Sequence, residues 1–88
     1  MKVYSYKFTK QIEKFLSKQD KKFLKLFFDK LEILTLNPFD NDLDIVPLHW
    51  FENNFRLRIW KYRFLYEIKN DELRIYFYKW WSRGDVYK

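Results

Sequence analysis

The chain has no cysteine, one histidine, one glycine and two prolines in 88 residues. Without cysteine it can form neither disulfides nor thiolate metal sites. The histidine, His49, lies in Pro47-Leu48-His49-Trp50-Phe51. It could titrate near neutral pH, but no second ligand or orienting carboxylate is evident beside it. A structural or surface role is the preferred reading, and no metal and no cofactor are expected. So little glycine and proline argues against long disordered segments, and no repeat or low-complexity stretch is visible. No run approaches the ~20 apolar residues of a membrane span. The first residues alternate polar and apolar without the apolar core of a secretory signal. A soluble, cytoplasmic protein with no membrane partner is expected.

Arginine is absent from the first 54 residues. Residues 1–54 carry nine Lys and eight acids, a net of +1, whereas residues 55–88 carry nine Lys plus Arg and four acids, a net of +5. All five arginines fall in the second part, at Arg56, Arg58, Arg63, Arg74 and Arg83. Lysines scattered on helices are usually a solvated, solubilising face. Arginines gathered on strands call for a different explanation. The chain is also rich in aromatics, at 24%, with ten Phe, seven Tyr and four Trp. Each can bury roughly 150–250 Å², so one small domain over residues 1–88 can hold a core without covalent staples.

Periodicity sets out the elements. Lys2 to Phe8 alternates as a strand. Thr9 is placed to cap a short helix through about Lys18, with Ile12, Phe15 and Leu16 inward. Asp20 caps a longer helix to about Leu36, whose stripe is Phe23, Leu24, Phe27, Phe28, Leu31 and Leu34. Asn37-Pro38 ends it. A connector over residues 39–54 has room for a turn or an extended edge segment. Phe55–Trp60, Tyr62–Lys69 and Glu72–Trp80 read as three strands, with Asn70-Asp71 as a two-residue hairpin turn. The order is β-α-α-β-β-β. It predicts an α+β fold with an antiparallel-type sheet and two helices on one side.

Alternation over Phe55–Tyr66 puts Arg56, Arg58 and Arg63 on the face turned from the core. Arg83 and Tyr87 follow in the tail Ser82-Arg83-Gly84-Asp85-Val86-Tyr87-Lys88. Guanidinium forks match phosphate in a bidentate way, so this set points to an anion site for a phosphate backbone. Lys61, Arg74 and Trp81 are further RNA-binding candidates. Arg74 also fits an ordinary exposed strand position between Leu73 and Ile75. Trp80 and Trp81 are adjacent on a strand and point to opposite faces, so at most one is core, and a free one could stack on a base. Tyr66, Tyr76 and Tyr78 read as packing residues.

With these residues in order, the chain resembles the RelE/ParE superfamily of toxins from toxin–antitoxin modules. The weaker part of the likeness is Lys30-Leu31-Glu32-Ile33-Leu34 with Asn37-Pro38-Phe39. The stronger part is Phe55-Arg56-Leu57-Arg58-Ile59, then Tyr62-Arg63-Phe64-Leu65-Tyr66-Glu67-Ile68, then Arg83-Gly84-Asp85-Val86-Tyr87. The resemblance implies a small sheet with two helices on one side. For the RelE branch it implies a metal-independent endoribonuclease that cuts messenger RNA in the ribosomal A site. There the 2′-hydroxyl attacks the adjacent phosphate and leaves a 2′,3′-cyclic phosphate. It also implies a cognate antitoxin and a hetero-oligomeric complex with it.

Carried over by position, the site residues are Arg56, Arg58, Arg63, Arg83 and Tyr87. Such a nuclease takes its nucleophile from the RNA, which suits a chain with no Cys and one His. The sequence departs from the pattern twice. Trp60-Lys61 stands where a turn glycine is expected. Arginines stand where a proton has to move, and arginine is a poor base. The alternatives are a ParE-like inhibitor of DNA gyrase and a family member that only binds RNA or antitoxin.

Overall fold

Two side-chain caps start the helices. Thr9 Oγ1 accepts from the Ile12 N–H at 3.4 Å, opening α1 (Lys10–Ser17). Asp20 Oδ1 accepts from the Phe23 N–H at 2.9 Å, opening α2 (Lys21–Leu36). Each satisfies a donor that has no partner inside its helix. The computed structural model describes residues 3–82. The strands are β1 (Ser5–Phe8), β2 (Ile45–Pro47), β3 (Asn54–Ile59), β4 (Tyr62–Lys69) and β5 (Arg74–Ser82).

The five strands form one sheet in the order β1-β5-β4-β3-β2. β2–β3, β3–β4 and β4–β5 are antiparallel, as the meander predicts, whereas β1 lies parallel to β5 with Ser5 against Arg74 and Phe8 against Phe77. The sheet is therefore mixed within the expected α+β class. The connector supplies the extra edge strand, β2. Lys2 lies outside the described residues, so the expected start of the first strand does too.

Both helices pack on one face. Ile12, Phe15 and Leu16 of α1 and Phe23, Phe27, Leu31 and Leu34 of α2 share a core with strand residues such as Leu57, Phe64 and Phe77. Phe15 is the hinge of this core, with rings of Phe64 at 5.6 Å and Trp80 at 4.3 Å. Among the described residues nothing helical covers the opposite face, and that open face carries the charged residues of β3, β4 and β5. Among the described residues no helix is long and apolar enough to cross a membrane.

One connection differs from the expected hairpin. Asn70–Glu72 forms a turn of 3₁₀ helix, closed by Leu73 in the left-handed region at φ 50°, ψ 49°. β5 consequently begins at Arg74 and runs to Ser82 instead of spanning Glu72–Trp80. The β3–β4 turn is Trp60-Lys61, with Trp60 at φ 58°. This is the position where the resemblance calls for glycine, and a non-glycine residue there holds roughly 1–3 kcal/mol of strain.

Candidate functional site: a cationic row on the open sheet face

Register places the site. Arg58 on β3 stands directly opposite Arg63 on β4, and Arg63 stands opposite Trp81 on β5. One row across three strands therefore holds two guanidinium groups and an indole. In the next row Arg56 faces Leu65, and Leu65 faces Lys79. The flanking residues Leu57, Ile59 and Phe64 are buried in the core, which fixes the arginines on the other side.

A β-bulge decides what β5 contributes. Leu65 pairs with Lys79 but Tyr66 pairs with Phe77, leaving Tyr78 as the extra residue. Two residues then oppose one, and the alternation of the strand is reset. Phe77 and Trp80 consequently both face the helices, while Tyr78, Lys79 and Trp81 belong to the open face. Of the tryptophan pair, Trp80 packs against the core and Trp81 does not belong to it. Trp81 is only 8% exposed, so its ring presents little area for a base to stack on.

The arginines are held by an acid that the sequence reading did not single out. Asp44 lies just before β2, and its Oδ2 is 2.6 Å from Arg58 Nε. Its Oδ1 is 3.4 Å from Arg56 Nη2. The Arg58 N–H also donates to the Asp44 carbonyl at 2.9 Å, which fixes the acid's backbone to β3. One carboxylate thus orients two guanidinium groups. Arg56 is largely covered, with its side chain 18% exposed, and its Nε has no hydrogen-bond partner. Arg58 is half exposed. Arg63 Nη1 donates to the Lys61 carbonyl at 3.4 Å.

Farther along the face, the Tyr78 hydroxyl donates to Asn54 Oδ1 at 2.6 Å. Burial and the neighbouring Glu67 carboxylate both push the Tyr78 phenol up from its ordinary value, burial more strongly. Glu67 itself lies 3.7 Å from Lys69.

The other expected site residues are distributed unevenly. Arg74 is not brought to the row. It lies at the opposite end of β5, 3.6 Å from Glu72. Seven strand positions separate it from Trp81, roughly 23 Å at ~3.3 Å per residue. Lys61 turns to the helix side, where its Nζ sits 4.6 Å over the Trp60 ring. There it lines an open groove of about 660 Å³ with Lys14, Lys18, Tyr62 and Trp80. Arg83 and Tyr87 lie outside the described residues. Asp44 and Lys79 are the residues of this candidate site that sequence reasoning missed. Lys79 is visible only once the bulge is known, and Asp44 only once β2 is paired with β3. Among the described residues no group of three His, Asp or Glu side chains is gathered to hold a metal ion.

A row of fixed cations around one carboxylate, open to solvent on one side, suits a phosphodiester. The guanidinium groups can neutralise charge on the non-bridging oxygens. A carboxylate, unlike arginine, can accept a proton.

No protein-family model matches the chain, and no curated protein matches it in sequence. Solved structures do match it in fold. The RelE of an archaeal RelE–RelB complex from Pyrococcus horikoshii superposes with a TM-score of 0.81 at 25% identity, covering 96% of this chain and 99% of that one. The isolated E. coli RelE toxin superposes with a TM-score of 0.77 at 13% identity, over 97% of this chain and 89% of that one. A RelB–RelE antitoxin–toxin complex from Methanococcus jannaschii gives 0.70 at 23% identity, over 91% and 93%. Since each likeness spans nearly the whole of both chains, the sheet, its two helices and its open face form a RelE-like toxin fold.

Proposed function

We propose that this chain is the toxin of a type II toxin–antitoxin module and that it cuts messenger RNA in the ribosomal A site without a metal. The observation that carries the reading is the Arg58–Arg63 row, with Arg56 beside it, on the open face of a RelE-like sheet. Like charges held directly opposite one another cost stability in the free protein, and an anion bound between them offsets that cost. The RNA supplies its own nucleophile, so the protein's task is to position the phosphate and to stabilise its developing charge. Its 2′-hydroxyl attacks the adjacent phosphorus, the bond to the 5′-oxygen breaks, and a 2′,3′-cyclic phosphate remains.

The likeness to RelE in complex with RelB supports an antitoxin partner and a hetero-oligomeric complex. A protein that covers the cationic face would block the same surface that meets RNA. Work on ribosomes would place the protein in the cytoplasm.

Purified protein is to be incubated with mRNA-programmed ribosomes, with EDTA present, and the products read by primer extension. Cleavage within the A-site codon, with a cyclic phosphate on the upstream fragment, is the expected result. No cleavage, together with inhibition of DNA gyrase supercoiling, would replace this reading with that of a gyrase-directed toxin.

A further inference from the structure

The cationic row explains how a phosphate is held but leaves the 2′-hydroxyl proton without an acceptor. Arg56, Arg58 and Arg63 stay protonated at any working pH. Three other groups deserve comparison. His49 follows β2 at the Asn54 end of β3, because Leu48 N–H bonds the Asn54 carbonyl. That is four strand positions from Arg58, roughly 13 Å. Glu67 also lies in the Asn54 row and is engaged with Lys69 at 3.7 Å. Lys79 is on the right face, but an ammonium group has no lone pair to offer. Among the described residues, Asp44 combines an acceptor with direct contact to Arg56 and Arg58.

We infer that Asp44 is the general base of the cleavage reaction. The inference rests on the ribonuclease reading and adds its proton acceptor. Arg58 Nε anchors Oδ2 at 2.6 Å, whereas Oδ1 has only the long 3.4 Å contact to Arg56. Oδ1 therefore keeps lone-pair capacity on an exposed edge of the site. The charged groups facing the carboxylate are Arg56 and Arg58 from β3. On its own segment the nearest is Asp42. Arg56 and Arg58 contact the carboxylate from the β3 side, and carboxylate oxygens are acceptors.

The step balances. The 2′-O–H bond breaks and its proton passes to Asp44 Oδ1. The 2′-oxygen forms a bond to phosphorus while the bond from phosphorus to the 5′-oxygen breaks. The leaving 5′-oxygen takes up one proton drawn from solvent, directly or through a relaying side chain, and Asp44 returns its proton to solvent. No oxidant, reductant or co-reactant is consumed.

Single-turnover cleavage on programmed ribosomes is the measurement, comparing the parent with Asp44→Asn and Asp44→Gly. Removing a general base costs typically ~10²–10⁴-fold in rate, and both variants should lose cleavage within that range. Binding of an uncleavable message, 2′-deoxy at the scissile position, should be retained in both, because each removes a negative charge beside the arginines. Adding chloroacetate, formate or acetate to Asp44→Gly should restore cleavage in proportion to the basicity of the added carboxylate. A residue that only orients Arg56 and Arg58 would not show that dependence, so rescue indifferent to basicity overturns the inference. So does parental cleavage by Asp44→Asn, which leaves the ribonuclease reading intact. If the parent itself cuts nothing, the ribonuclease reading falls and the inference falls with it.

Discussion

Arg58 and Arg63 face each other across β3 and β4, like charges at directly paired positions. Such pairs destabilise a sheet, by an amount comparable to the ~0.2–1 kcal/mol that a favourable cross-strand pair contributes. Asp44 relieves Arg58, whereas Arg63 donates to the Lys61 backbone carbonyl at 3.4 Å. Arg63→Thr keeps strand propensity and removes the repulsion. We expect it to raise the melting temperature, by about 4–8 °C for each kcal/mol gained. The same change should lower cleavage by ~10²–10³, the usual cost of one lost transition-state donor. Calorimetry and single-turnover cleavage on the same preparation check the pair of outcomes. A variant that is both more stable and fully active would dissociate the arginine row from function.

Several arginine–phosphate contacts should also make binding sensitive to salt. Each neutralised phosphate releases a counterion, so log affinity falls about linearly with log salt concentration. Titrating a single-stranded RNA at rising ionic strength measures the slope. Arg58→Gln should make it shallower by about one contact, ~0.7 for single strands. A slope unchanged in Arg56→Gln, Arg58→Gln and Arg63→Gln alike would mean that RNA binds elsewhere.

Much of this site was legible in the alternation of Phe55–Tyr66. Period two puts Arg56, Arg58 and Arg63 on one face whatever else the chain does, and the core residues Leu57, Ile59 and Phe64 confirm that face. The helix caps at Thr9 and Asp20 were equally local and are present. What could not be read depends on contacts between distant segments. The parallel β1–β5 pairing joins Ser5 to Arg74, and no local pattern specifies it. Asp44 meets Arg56 and Arg58 only because β2 folds against β3. The bulge at Tyr78 shifts Lys79 onto the open face, and a single extra residue leaves no signal in an already aromatic strand. Arg74 shares the arginine composition of the site yet lies at the far end of β5, a separation that composition alone does not reveal.

Tyr66 offers a test on the core side. Its ring is buried beside Phe77, with centroids 5.1 Å apart, and its hydroxyl has no hydrogen-bond partner. Burial pushes the phenol well above its ordinary value. The folded state therefore holds its proton at a pH where the unfolded chain has released it. Stability from this group is complete below the unfolded pKa of ~10 and is lost as pH rises beyond it. Tyr66→Phe should flatten that alkaline loss. It should also stabilise the protein at neutral pH by about 1 kcal/mol, because an unsatisfied buried hydroxyl costs roughly 1–3 kcal/mol. Urea denaturation between about pH 7 and pH 11 reports both effects. A variant less stable than the parent at neutral pH would mean that the hydroxyl is satisfied in solution.

The tail carries the last prediction. Arg83 and Tyr87 lie outside the described residues, but Ser82, which precedes them, is paired with Tyr62 at the same end of the sheet as the Arg58–Arg63 row. Arg83→Ala should lower the cleavage rate by ~10²–10³ if its guanidinium group stabilises the transition state. Tyr87→Phe separates two roles for Tyr87. If the hydroxyl moves a proton, losing it costs about 10²–10⁴-fold; if the ring only stacks on a base, phenylalanine retains most of the rate. The hydroxyl role is the expected one, because the arginines cannot exchange protons and the leaving 5′-oxygen needs one. With Asp44 accepting the 2′ proton, Tyr87 would assist at the opposite end of the reaction. Asp44→Asn and Tyr87→Phe should then each slow cleavage, while added carboxylate rescues only variants at Asp44. Single-turnover rates of the two single variants and the double variant, at matched folding by circular dichroism, decide it. Full activity in Tyr87→Phe would leave solvent water as the proton donor to the leaving oxygen.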